Sequence, residues 1–110
     1  MDFASAYDQG FVRVAACTIV TALADPRANA AAVLEQARAC DAEGVRVAAF
    51  PELTLTGYSV EDLFLQEVVL DEVEEALAEL AEASTDLATL LVVGAPLRHG
   101  NRLYNCAVTI

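Results

Sequence analysis

Glu52 stands two residues after the apolar run VRVAAF at positions 45–50. If that run is a strand of an open parallel sheet, Glu52 lies outside its carboxyl end, where such sheets bind ligands. Partial desolvation by the sheet and flanking helices would raise the proton affinity of the carboxylate and suit it to general-base work. The other reading is a helix N-cap or a loop carboxylate held by nearby backbone N–H groups. Position alone leaves both open.

A thiol offers a rival chemistry. Cys17 ends an earlier apolar run, residues 11–17, on the same expected sheet edge, so a Cys17–Glu52–His99 set would resemble a nucleophilic constellation. Two points oppose it: a carboxylate neighbour raises a thiol pKa, and His99 falls in a turn, His99-Gly100-Asn101. The burial habit of free Cys favours a core role for Cys17, as it does for Cys40 and for Cys106 within a strand pattern. No C-x-x-C pair occurs and there is one His, so no zinc site is composed. G-x-G-x-x-G, G-x-x-x-x-G-K and G-x-S-x-G are all absent. Tyr58, beside Gly57, either lines a pocket or covers the edge of the core.

The elements that must position these groups are legible in the patterning. Residues 11–17 and 45–50 read as buried strands, and between them Asp25-Pro26 opens a helix as N-cap and first-turn proline. Ala30, Val33, Leu34, Ala37 and Cys40 form its apolar stripe, and Gly44 stands at its C-terminal cap. The result is a βαβ unit with parallel strands. Pro51 stops the second strand, and a loop surrounds Gly57. Ser59-Val60-Glu61-Asp62 matches a capping box that starts a short helix at Val60. A longer helix follows, with Leu70, Val73, Leu77, Leu80 and later Leu87 on one side and Asp71, Glu72, Glu74, Glu75, Glu79 and Glu82 over the rest. Residues 90–95 predict a third buried strand ended by Pro96. Residues 103–110 predict a fourth, with Tyr104, Cys106, Val108 and Ile110 on one face. This last pattern has no polar close, so the chain is expected to be the first part of a larger α/β domain.

Composition narrows the partners. The 110 residues are 56% hydrophobic and 21% charged, enough apolar material for a core. Seventeen acids against six bases give a net charge of −11; every base is Arg and there is no Lys, which removes one common catalytic group. No basic residue occurs between Val47 and Leu97, which argues against nucleic acid as a partner. Apolar runs fall far short of the roughly 20 residues a membrane helix needs, and no signal peptide opens the chain, so a cytoplasmic protein without a membrane partner is expected.

Phe50-Pro51-Glu52-Leu53 followed by Leu55-Thr56-Gly57-Tyr58 resembles the first motif of the nitrilase, or carbon–nitrogen hydrolase, superfamily. Asp25-Pro26…Asn29 and Gly94-Ala95-Pro96…Leu103-Tyr104-Asn105 follow the same pattern, over residues 11–110. Tyr58-Ser59-Val60-Glu61-Asp62-Leu63 is similar to the glutaminase domain of bacterial glutamine-dependent NAD synthetases. The resemblance implies the N-terminal part of an α-β-β-α sandwich, residues 1–110 forming one partial hydrolase domain with no second domain. Of the family's catalytic Glu, Lys and Cys, the Glu falls on Glu52, whereas the Lys and the nucleophilic Cys are implied beyond Ile110. None of the three cysteines here matches that Cys, so residues 1–110 alone are expected inactive.

The implied substrate is glutamine, and the implied product is ammonia, handed to a downstream synthetase domain that uses ATP and Mg2+ to amidate nicotinic acid adenine dinucleotide. No cofactor is implied within residues 1–110, a homo-oligomer is implied for the full-length protein, and Tyr58 is implied at the substrate pocket wall. A stand-alone amidase of the same superfamily, acting on a small linear amide, is the alternative. A non-catalytic module binding a partner through its acidic helix is a third reading.

Overall fold

Asp25 begins the first helix as its sequence requires: its carboxylate accepts the Ala28 N–H at 3.2 Å, and Pro26 occupies the first turn. In the computed structural model, which describes residues 5–60 and 66–110, six elements follow in order. They are β1 (Val14–Ala16), α1 (Pro26–Ala42), β2 (Val47–Ala49), α2 (Glu67–Ala83), β3 (Leu90–His99) and β4 (Arg102–Thr109). The strands form one sheet in the order β1-β2-β3-β4, parallel through β3, with β4 antiparallel to β3. The fold is α/β, as expected.

Gly44, at φ +76°, ends α1 in the left-handed conformation that turns the chain into β2. The Val45 N–H returns to the Cys40 carbonyl at 3.0 Å, while the Arg13 guanidinium donates to Glu43 O and the Tyr7 hydroxyl to Gly44 O. Glu43 N–H to Ala39 O and Gly44 N–H to Asp41 O satisfy two more carbonyls of the last turn.

Both helices pack on one face of the sheet. Val33 and Ala37 of α1 and Val73, Ala76 and Leu80 of α2 share a core with Ala48, Leu91, Val93 and Ala95. The alternate strand residues point to the other face, where Val14, Ala49, Leu90 and Ala107 are exposed, Val47 and Val92 half-buried, and Gly94 and Pro96 buried. The acidic side of α2 is partly neutralised from neighbouring elements. Arg27 lies 2.9 Å from Glu75 and 3.9 Å from Glu79, and Arg98 pairs with Asp71 and, at 3.4 Å, with Glu74.

Two local expectations change, and a third is not tested by the described residues. Pro96 does not end β3, which runs on to His99. Leu91 and Ile110 exchange both backbone hydrogen bonds, so by alternation the nitrogen of residue 96 faces away from β4, on the side where β2 has already finished. Proline there forfeits no ladder bond. Leu87 lies past the end of α2 but still packs on the core. The short helix expected from Val60 falls mainly on residues 61–65, outside the described residues; Val60 itself is a buried turn residue.

Candidate active site

Glu52 follows β2, and the chain carrying it crosses β3 at Gly94. A Cβ at position 94 would lie 2.4 Å from both Pro51 O and Leu53 N, and 2.8 Å from the Glu52 carbonyl carbon. These are backbone atoms, so only glycine lets the segment lie this low. Leu53 then takes φ +52°, a left-handed conformation costly for a branched side chain, and its carbonyl accepts the Thr56 and Gly57 N–H groups. Leu55 N–H donates to Gly94 O at 3.1 Å, pinning the turn to the strand it crosses.

Having crossed β3, Glu52 reaches β4. Asn105 Nδ2 donates to one carboxylate oxygen of Glu52, and the Tyr58 hydroxyl donates to the other. Asn105 stands opposite Pro96 in the ladder, which places it on the same sheet face as Gly94, away from the helices. Glu52 shares a hollow there with Phe50, Pro51, Val92, Gly94 and Asn105. Asn105 also borders a second, more apolar hollow with Leu53, Pro96, Leu103 and Tyr104.

The expectation of a desolvated carboxylate is not met. Within residues 1–110 Glu52 is exposed, on the sheet face opposite the two helices. Its pKa is held below the ordinary carboxylate value, first by the Tyr58 hydrogen bond and then by that of Asn105. The same contact raises the Tyr58 pKa, since ionising the phenol would set two anions together. Tyr58 itself is 63% exposed and does not cover the core.

The thiols go elsewhere. Cys17 is 7% exposed, with its Sγ 3.7 Å from that of Cys40, and burial followed by that neighbour pushes its pKa up to about 11. His99 ends β3 in an exposed hairpin, so no Cys17–Glu52–His99 set forms. Cys106 adjoins Asn105 in the strand and so faces the helix side, where Val108 and Ile110 pack. Cys40 is a core residue on the stripe of α1.

A sheet-end carboxylate fixed by a tyrosine and an asparagine over a glycine crossing is the arrangement against which relatives can be compared. The carbon–nitrogen hydrolase family model matches residues 13–110. The chain belongs to the carbon–nitrogen hydrolase family. All of this family member's 110 residues align at 61% identity with the glutamine-dependent NAD(+) synthetase of Mycobacterium tuberculosis, of which they span 16%. Among solved structures, the Cytophaga hutchinsonii glutamine-dependent NAD(+) synthetase superposes with a TM-score of 0.82 at 27% identity, over 90% of this chain and 17% of that one. The Acinetobacter baumannii enzyme, solved in complex with adenosine diphosphate, gives 0.76 at 25% identity, over 84% of this chain and 17% of that one. The α/β sheet with its two helices is thus part of the carbon–nitrogen hydrolase fold.

Two residues that hold Glu52 in this hydrolase fold were not singled out as site residues in the sequence. Asn105 and Gly94 appeared only within the family pattern. The available signal was spacing: an isolated glycine inside an apolar strand marks close backbone approach.

Proposed function

We propose that residues 1–110 form part of a glutaminase domain, the hydrolase portion of a glutamine-dependent NAD synthetase, with Glu52 as its general base. The observation that carries this reading is the Glu52 carboxylate at the end of β2, fixed through both oxygens by Tyr58 and Asn105. The 61% identity to a glutamine-dependent NAD(+) synthetase supports the substrate class. Each carboxylate oxygen accepts one hydrogen bond and keeps a further lone-pair site for an incoming proton.

In this scheme a Cys beyond Ile110 attacks the side-chain amide carbon of glutamine while its thiol proton passes to Glu52. The tetrahedral intermediate, stabilised by a Lys beyond Ile110, collapses; the proton leaves with ammonia and a thioester remains. Glu52 then takes a proton from water, which attacks the thioester; glutamate forms, and the proton returns to the thiol. Tyr58 serves both as wall of the glutamine pocket and as the donor that orients Glu52.

Ammonia passes to a synthetase domain that uses ATP and Mg2+ to amidate nicotinic acid adenine dinucleotide to NAD. The described residues present no cluster of three metal-ligating side chains, and the sequence holds neither a phosphate loop nor a Lys. By the resemblance to glutamine-dependent NAD(+) synthetases, ATP and Mg2+ are assigned to the downstream synthetase domain, in a cytoplasmic homo-oligomer of the full-length enzyme. No helix among the described residues is long and apolar enough to cross a membrane.

Glu52→Gln in the full-length enzyme tests the assignment. General-base contributions of about 10²–10⁴-fold set the expected loss of glutamine turnover. Synthesis supplied with free ammonia, which bypasses this step, is the folding control. Unchanged glutamine turnover overturns the reading.

A further inference from the structure

Asn29 lies in the first turns of α1, 1% exposed, with its amide facing loop backbone rather than solvent. Its Oδ1 accepts the Ala22 N–H at 2.7 Å, and its Nδ2 donates to Ala22 O at 2.7 Å and to Leu55 O at 2.9 Å. Both amide protons are used, and the backbone of two separate loops converges on one side chain. A further bond joins those loops directly, from Ala24 N–H to Thr56 O at 2.8 Å. Residues 53–57 are therefore suspended from α1 on one side and from Gly94 of β3 on the other. That turn separates Glu52 from Tyr58.

We propose that Asn29 is a positioning residue for glutamine hydrolysis, fixing the 53–57 turn so that the Tyr58 hydroxyl meets Glu52. The inference rests on the reading of Glu52 as the base and extends it to a residue that touches neither the carboxylate nor the phenol. The physical reason is accounting of buried polar groups. Without the Asn29 amide, buried Leu55 O loses its side-chain partner and the part-buried Ala22 N–H loses its acceptor, while Ala22 O keeps only a long bond from Asp25 N–H at 3.4 Å. A buried carbonyl left in that state seeks water or another donor by moving. The turn then relaxes at its helix side, while Leu55 N–H still holds it to Gly94. Tyr58, beyond the turn, shifts relative to Glu52, before it.

The test uses the full-length enzyme with Asn29→Ala and Asn29→Ser, the hydroxyl of the second variant retaining a donor and an acceptor in the vacated space. A misplacement of about 1 Å costs on the order of 100-fold, so kcat is expected to fall about 10- to 100-fold, with KM rising as the Tyr58 wall shifts. Tyr58 is the titratable group facing Glu52 among the described residues, and Asn105 is its other partner. The acid limb of the pH profile is therefore expected to move upward in both Asn29 variants, as in Tyr58→Phe. In a Tyr58→Phe background, Asn29→Ser is expected to add no further movement, because residues acting through one contact are not additive.

A merely structural role predicts a lower melting temperature with wild-type kcat and acid limb per folded molecule, and that result overturns the proposal. If Asn29→Ala does not fold, Asn29→Ser decides by the same criteria. Glu52→Gln run alongside keeps the two ideas apart. An inactive Glu52→Gln with an unaltered Asn29→Ser removes the positioning role alone, whereas an active Glu52→Gln removes the base and the positioning role together.

Discussion

The Tyr58 hydroxyl donates to the carboxylate of Glu52, six residues earlier in the chain, and the two are brought face to face by a turn that begins in a left-handed leucine. Hydrogen bonding to the charged form favours it, so Glu52 ionises below the ordinary carboxylate range, with Tyr58 the larger cause and Asn105 the second. Removing the phenolic donor in Tyr58→Phe therefore raises the Glu52 pKa. On the proposed reading of Glu52 as general base, which must be ionised to act, the acid limb of glutamine hydrolysis by the full-length enzyme should move to higher pH. Stability follows the same sign: the native state gains from this carboxylate above its unfolded pKa and loses the gain as pH falls through the lower folded value. Tyr58→Phe should reduce that acid sensitivity, read from melting temperature against pH.

Gly94→Ala should disturb fold and site together. The added methyl would meet main-chain atoms of Pro51 and Leu53 at 2.4 Å, and main chain cannot rotate aside as a flexible side chain can. Overpacking of this kind costs about 1–3 kcal/mol, measurable by chemical denaturation. Because the crossing must lift, the same variant should also lose glutamine turnover on the order of 100-fold. Wild-type kcat in Gly94→Ala would show that Glu52 does not depend on the height of the crossing.

Leu91→Ala separates stability from chemistry. Leu91 is fully buried on the helix side of β3, in the core cluster with Val73 and Leu80 and away from the face that carries Glu52. Truncation should destabilise the protein by about 2–5 kcal/mol. Turnover per folded molecule should stay near wild type below the melting transition.

Cys17 should resist alkylation in the native protein. Its thiol is buried against Cys40 and its pKa is pushed up to about 11, so little thiolate exists near neutral pH. Mass-spectrometric mapping after a short maleimide pulse should find half-buried Cys106 labelled ahead of Cys17. A thiol harder to ionise when folded stabilises the native state below its unfolded pKa, and the contribution is lost as pH rises through about 11. Cys17→Ala should therefore weaken the alkaline decline in stability that begins near the unfolded thiol value.

The βαβ unit could be read before any coordinates because it rests on local chemistry: Asp25 caps, Pro26 starts and Gly44 stops α1, and the strands on either side of it are apolar runs. The position of Glu52 at the end of β2 was legible for the same reason. Its environment was not. Which edge of the sheet carries the loop after β2, and so which face Glu52 reaches within residues 1–110, is a tertiary fact that the local pattern does not contain. Asn105 lies 53 residues further along, and only the antiparallel return of β4 brings it to the carboxylate. Pro96 misled because its effect depends on which edge of the strand its missing N–H occupies, a tertiary fact. Cys17 and Cys40 meet across 23 residues, a pairing of core thiols that spacing alone does not reveal.

At Gly94, backbone rests on backbone, and peptide groups are the same in every protein. Side chains that touch neither Glu52 nor its turn can change identity around the crossing, provided a single hydrogen keeps the place a methyl would take and Tyr58, Asn105 and Asn29 keep their hydrogen bonds. An engineer could redraw the rest of the rim of the hollow and leave the carboxylate where it stands. Position 94 is a palette entry that has to stay blank.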